Sequence, residues 1–161
     1  MKVQKLMIKD VATCRPEDSA NDAAQLMWEH DCGIVPIVED GSRVIGMVTD
    51  RDLCMASYME GKPLRDIEVR RVMSKELWSC RPQDDLSTAE HVMREHRIRR
   101  LPVTDTKGQL KGILSLCDLA REAAKEESTR SKKVEVSYTD VAQTLGDIDE
   151  PHTRMRASRA S

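Results

Sequence analysis

An internal repeat constrains this chain more than any other feature. Residues 3–53 align without a gap on residues 69–119 at a constant offset of 66, the step from Gly46 to Gly112. Val3 falls on Val69, Met7 on Met73, Cys14-Arg15-Pro16 on Cys80-Arg81-Pro82, Met27 on Met93, Glu29-His30 on Glu95-His96 and Pro36 on Pro102. A duplication at this period means two copies of one supersecondary unit. One copy of about fifty residues buries too little apolar surface to stand alone, so the two are expected to pack together as one domain. The expected boundaries are 1–62 for the first repeat, 63–127 for a linker and the second, and 128–161 for a polar tail.

Each repeat closes on a Gly, two apolar residues, a hydroxyl and, three positions on, an Asp: GMVTDRDL at Gly46 to Leu53 and GILSLCDL at Gly112 to Leu119. The apolar run reads as a strand end. A hydroxyl followed three residues later by a carboxylate opens a helix. Thr49 with Asp52, and Ser115 with Asp118, therefore stand at strand-to-helix turns. Unpaired first-turn N–H groups and the positive end of the dipole suit a phosphate there, and an acceptor-only carboxylate suits the hydroxyls of a ribose. One copy taken singly would be read as a helix cap and no more. Two copies in register point to a pair of nucleotide-type sites.

Between these landmarks, residues 11–14 and 77–80 read as short strands ended by Arg-Pro, because proline disfavours helix in the residue before it. Ser19 and Asp85 are placed as N-caps of two amphipathic helices whose inner stripes carry Met27 and Met93. His30 and His96 close those helices, with no second ligand spaced to join either in a metal site. Apolar runs at 34–38 with 44–48, and at 101–103 with 110–114, are broken by Gly-containing turns and read as hairpins. Helices are expected over 50–60, stopped by Gly61, and over 118–127.

Two in-register copies of a leading Val-x-x-x-Met, an apolar-Pro step and a closing G-h-h-[ST]-x-x-D resemble a cystathionine β-synthase (CBS) domain pair, the Bateman module. The resemblance covers residues 3 to about 124. It implies an α/β fold of two tandem β-α-β-β-α repeats related by a pseudo-twofold axis, with adenine nucleotides bound in the clefts between them. The ligand contacts it implies are Val11, Thr13, Gly33, Ile34, Pro36, Thr49, Arg51, Asp52, Ser79, Arg99, Arg100, Pro102, Ser115 and Asp118. On this reading the backbone of residues 11–13 reads the adenine edge beside the Thr49 turn. AMP, ADP or ATP is the expected ligand, with NAD or S-adenosylmethionine as further possibilities, and no covalent cofactor or metal is expected. In such modules the closing helices also pair two copies, so a homodimer is expected, acting on an unidentified effector protein.

The repeats differ at the step before the apolar-Pro. The first carries Asp31-Cys32-Gly33-Ile34 and the second Arg97-Ile98-Arg99-Arg100. If each turn faces the other repeat's step, Thr49 and Asp52 receive two guanidinium groups able to bind phosphate in a bidentate manner. Ser115 and Asp118 receive none, and Arg99 is expected to crowd them. The two sites should be unequal, with the Asp52 site the tighter for a phosphate-bearing ligand.

Other function classes find little support. The net charge of −2 gives no global field for nucleic acid, there is no run of about eighteen apolar residues, and no charged-then-apolar leader, so a cytoplasmic protein is expected. Cys14, Cys32, Cys54, Cys80 and Cys117 form no C-x-x-C pair, which argues against a disulfide framework or zinc knuckle. No Ser-His-Asp, Cys-His or paired-carboxylate arrangement and no cofactor fingerprint is present, so no enzyme is expected. The tail is polar; residues 138–145 could form one helix after a Ser137-x-x-Asp140 cap, with Gly146 as its stop and the rest disordered. Two alternatives stay open: a scaffold or dimerisation module without ligand, and a nucleic-acid-binding module using Arg97, Arg99, Arg100 and the basic tail, which only two Trp and two Tyr in the chain make poor.

Overall fold

Helix starts set the frame of this protein, because at Ser19, Thr49, Ser115 and Ser137 a side chain supplies a partner that the first turn lacks. The computed structural model describes residues 1–128 and 134–149. Helix α1, Ala20–Glu29, opens at Ser19, whose Oγ accepts from the Asp22 N–H at 3.2 Å while the Asp22 carboxylate accepts from the Ser19 N–H at 2.9 Å. The hairpin of β1, Ile34–Glu39, and β2, Arg43–Thr49, follows, and α2, Asp50–Glu60, leaves β2 directly and ends at Gly61 with φ of 62°. The second repeat runs through α3, Val69–Val72, α4, Leu86–His96, β3, Arg100–Thr104, β4, Leu110–Ser115, and α5, Leu116–Ser128. A last helix, α6, Tyr138–Asp149, packs on α4 and α5.

The two antiparallel hairpins share one register. Pro36 lies opposite Met47 and Pro102 opposite Ile113, and the pairing shifts after Ile37 and after its repeat equivalent Val103. They meet where the Val44 N–H donates to the Gly108 carbonyl at 3.0 Å and the Leu110 N–H to the Ser42 carbonyl at 2.9 Å. Both bonds join repeat-equivalent positions, so the pseudo-twofold axis passes between Arg43 and Gln109.

The leading segments are exchanged across this axis. Val3 is fully buried in the second repeat's core with Cys80, Leu86, Met93 and Leu101, while Val69 and Ile67 are buried with Cys14, Ala23, Met27 and Val35 of the first. The hydrogen bonds repeat the exchange: the Val3 N–H donates to the Asp84 carbonyl and the Val69 N–H to the Asp18 carbonyl, at 3.0 and 2.9 Å. Burying each valine in this way stabilises the pair by about 1.5–3 kcal/mol. The motif glycines lie where these segments cross the strands. A Cβ at Gly46 would stand 3.0 Å from the Met73 sulfur, and one at Gly112 only 2.5 Å from the Ile8 carbonyl oxygen.

Several sequence expectations change. Residues 11–14 and 77–80 form no strands; each contributes one parallel bridge, Cys14 to Ile37 and Cys80 to Val103, because Arg-Pro ends the pairing at once. Asp85 caps α4 without a side-chain bond to the helix, since its carboxylate faces Lys2 of the exchanged segment at 3.0 Å. The expected linker carries a 3₁₀ turn, Leu64–Asp66, and enters α3. Gly146 does not stop α6, which continues to Asp149 with Ile148 buried in the second core. Of the rest of the tail, expected to be disordered, residues 134–137 are held in place, with Val136 buried and its N–H donating to the Glu126 carboxylate at 3.2 Å, and residues 129–133 and 150–161 lie outside the described residues.

Candidate functional site

A cavity of about 520 Å³ lies between the Thr49 turn and the Arg97–Arg100 step of the other repeat. A volume of this size is typical of small-molecule sites. The turn is built by a reciprocal cap: Asp52 Oδ2 accepts from the Thr49 N–H at 2.9 Å and hydroxyl at 2.7 Å, and Thr49 Oγ1 accepts from the Asp52 N–H at 3.2 Å. Among the described residues this leaves Asp52 Oδ1 without a hydrogen bond, in a side chain that lines the cavity.

Of the fourteen residues expected at the ligand, the structure brings Ile34, Thr49, Arg51, Asp52, Arg99, Arg100 and Pro102 together around this cavity. Gly33 is adjacent: a Cβ there would stand 3.1 Å from Asp50 Oδ2 and 3.7 Å from Arg100 Nη2. Val11, Thr13, Pro36, Ser79, Ser115 and Asp118 do not line it. The segment expected beside the Thr49 turn, residues 11–13, is replaced by Ser74, Glu76 and Trp78. The cause is the exchange: the Ser74 N–H donates to the Met47 carbonyl at 2.9 Å and the Met47 N–H to Ser74 Oγ at 3.1 Å, which lays the second leading segment along β2.

The helix N-terminus is also less open than expected. The Asp50 N–H donates to the Gly33 carbonyl at 3.4 Å, the Arg51 N–H to Asp50 Oδ1 at 2.7 Å and the Asp52 N–H to Thr49. With all three N–H groups engaged, the side chains of the Arg step are what can hold an anion. Four carboxylates (Asp50, Asp52, Glu76, Asp149) and four guanidinium groups (Arg51, Arg97, Arg99, Arg100) line the cavity, so its field is local rather than uniformly positive. Arg99 donates to Asp149 of α6. Among the described residues Arg51 and Arg100 have no carboxylate within ion-pairing distance, which leaves Arg100 as the uncommitted cation of the step.

Sequence reasoning missed Met47, Asp50, Ser74, Glu76, Trp78, Ile98, Ile148 and Asp149 on the wall of this cavity. Trp78 stacks on His96, ring centroids 3.4 Å apart and planes 8° from parallel, which fixes the indole and gives the Glu-His pair at the end of α4 a use that spacing alone did not reveal. At the pseudo-equivalent turn both carboxylate oxygens are engaged. Asp118 is 3% exposed, its Oδ2 accepts from the Ser115 N–H at 2.8 Å and hydroxyl at 2.6 Å, and its Oδ1 accepts from Arg121 of the same helix, while Arg99, expected to crowd this turn, lines the Thr49 cavity instead. Burial pushes the thiols of Cys14 and Cys80 up to about 11 and about 12, so both remain protonated, small apolar groups of the core.

Two exchanged repeats with paired hydroxyl-carboxylate turns define a tandem-repeat module, and comparison with known proteins gives its family. The CBS domain model matches residues 3–58 and 69–125, and the chain belongs to the CBS domain family. It is 37% identical over 139 residues to the CBS domain-containing protein YhcV of Bacillus subtilis, which covers 86% of this chain and 97% of that one. The fold is that of the CBS domain protein TA0289 of Thermoplasma acidophilum, with a TM-score of 0.74 at 21% identity over 91% of this chain and 75% of that one. It is likewise that of the CBS domain pair of protein MJ0100, crystallised with 5′-methylthioadenosine and S-adenosyl-L-methionine, with a TM-score of 0.71 at 20% identity over 78% of this chain and 98% of that one.

Proposed function

We propose that this CBS pair is a regulatory module, without a catalytic step of its own, that binds one phosphate-bearing adenine nucleotide in the cavity headed by Thr49 and Asp52. The observation that carries the reading is the cavity itself, lined both by Asp52, whose Oδ1 accepts no hydrogen bond among the described residues, and by Arg100, which has no carboxylate partner among them. Asp52 Oδ1 accepts the ribose hydroxyls, Arg100 takes the phosphate, and the adenine lies against the apolar wall of Ile34, Met47 and Pro102 with Trp78 at its rim. A ligand held between two repeats shifts any equilibrium in which the repeats are differently spaced, which is how binding would reach an effector protein. The adenosine-containing ligands of the MJ0100 pair support the ligand class. Arg100 favours AMP, ADP or ATP over S-adenosylmethionine.

The test is isothermal titration with AMP, ATP, NAD and S-adenosylmethionine, repeated on Asp52→Asn. Asparagine keeps an oxygen for the Thr49 cap and removes the second acceptor. Saturable binding at one site per chain that weakens at least tenfold in the variant is the expected outcome. No heat and no thermal stabilisation with any of the four would overturn the reading in favour of a ligand-free scaffold.

The expected homodimer is part of the proposal. Trp28, Met55, Tyr58 and Met59 leave an apolar face on α1 and α2 exposed, Trp28 to 88%, whereas α6 covers α4 and α5. A second copy seated on the first repeat's helices would bury that face. A monomer mass at all concentrations in sedimentation would remove it.

A further inference from the structure

We infer that α6 is a carboxylate latch on the candidate nucleotide cavity: Asp149 holds Arg99 where a ligand phosphate would sit, so ligand binding and docking of the last turn of α6 exclude one another. The inference rests on the nucleotide reading above and adds the regulation of that site. Three observations converge on it. Ile148 and Asp149, the last two residues of α6, line the same cavity as Thr49, Asp52 and Arg100, although they lie about fifty to a hundred residues further along the chain. The Arg99 guanidinium donates to Asp149 Oδ1, so one of the two expected phosphate-binding arginines is already held by a carboxylate of the chain itself. That carboxylate stands at the negative end of a twelve-residue helix, which adds to its attraction for Arg99 and to its repulsion of any phosphate.

The latch is built to open. Arg99 and Asp149 are about half exposed, with side chains at 53% and 49%, and a pair so hydrated is weakly held. The seat of α6 is imperfect as well. Glu90 of α4 is buried with Oε1 lacking a hydrogen-bond partner among the described residues, and it feels the Asp140 carboxylate in the first turn of α6 and, opposing it, Arg94 of its own helix. The firm attachment lies upstream, where Val136 is buried and the Glu126 carboxylate accepts the N–H groups of Glu135 and Val136 at 2.8 and 3.2 Å. The segment before α6 can thus stay anchored while its far end leaves the cavity. By linkage, a ligand that displaces Asp149 loosens α6 by the factor by which α6 weakens the ligand. The helix becomes the element through which occupancy of the cavity is read at the surface.

Two measurements on the full chain test this: amide hydrogen exchange of residues 138–149 with and without AMP or inorganic pyrophosphate, and titration of Asp149→Asn with AMP and adenosine. Exchange in α6 should rise on adding AMP or pyrophosphate. The variant should bind AMP about two- to fivefold more tightly, the range an exposed ion pair spans, and adenosine unchanged. AMP binding that needs Asp52 but leaves α6 protected, with equal affinity in Asp149→Asn, would overturn the latch and leave the nucleotide reading standing. Exchange that rises with pyrophosphate in the wild type and not in Asp149→Asn, while no adenine compound binds, would keep the latch and overturn the adenine reading. A helix that is loosened by Asp149→Asn alone and never by an anion would show a structural tie, and the latch would fall.

Discussion

Thr49–Asp52 and Ser115–Asp118 are the same capping box, with matching bonds, and they are surrounded differently. Asp52 keeps an oxygen that opens on a cavity with Arg100 across it; Asp118 is buried and gives its second oxygen to Arg121. The contrast teaches that the same capping motif can leave its second carboxylate oxygen open or engaged. What decides is the residue one turn along the helix, Met55 in the first repeat and Arg121 in the second, together with the step the partner repeat presents. The same asymmetry runs through the helices: Ala24 of α1 corresponds to Glu90 of α4, and only the second repeat carries α6.

Four measurements sharpen or break this comparison. The largest effect is expected in the cores. Met93→Ala, at a fully buried site whose core also includes Val136 and Ile148, should cost about 2–5 kcal/mol in urea melts, and Met27→Ala, at a site 7% exposed, should fall at the lower end of that range. Equal losses would mean that α6 adds nothing to its repeat. Next, Gly112→Ala should cost about 1–3 kcal/mol, more than Gly46→Ala, because its Cβ meets a backbone carbonyl where that of Gly46 meets a flexible methionine first. The reverse order would contradict the exchange geometry.

The third measurement sets Asp118→Asn beside Asp52→Asn. The former should lower stability by about 1 kcal/mol through its Arg121 bond and leave AMP binding unchanged, while the latter should weaken AMP at least tenfold with little change in stability. Comparable losses of affinity would erase the distinction between the two turns. The smallest effect concerns Glu90, whose carboxyl is pushed above its ordinary range by burial and then by Asp140, with Arg94 opposing. The fold therefore favours the protonated form. Its contribution is fully present below the ordinary carboxylate range and is lost as the pH rises through the raised value. Glu90→Gln should remove that slope and stabilise the protein at neutral pH by about 1 kcal/mol, read from thermal melts across the acid range.

Much of the fold was legible because it depends on local pattern. The offset of 66, the caps at Ser19, Thr49, Ser115 and Ser137, the stop at Gly61 and both hairpins follow from residues within a few positions of one another. Gly146 misled because burial of Ile148 two residues beyond it outweighs the local preference of glycine to end a helix. Half of the expected ligand residues meet at one cavity because the opposition of turn and Arg step needs only the pseudo-twofold. Ser74, Glu76 and Trp78 escaped notice because the repeat itself suggests that each leading segment serves its own turn.

By itself, then, the sequence determined that there are two repeats, where their helices begin and which residue types close them, since capping and periodicity are short-range and written in adjacent positions. Only the tertiary structure decided which leading segment lies beside which turn, which of two identical carboxylates keeps an open oxygen, and that the end of α6 reaches Arg99. Those outcomes depend on packing between segments some fifty to a hundred residues apart, where the burial of Val3, Val69 and Ile148 in a core, rather than any neighbour in the chain, sets the position.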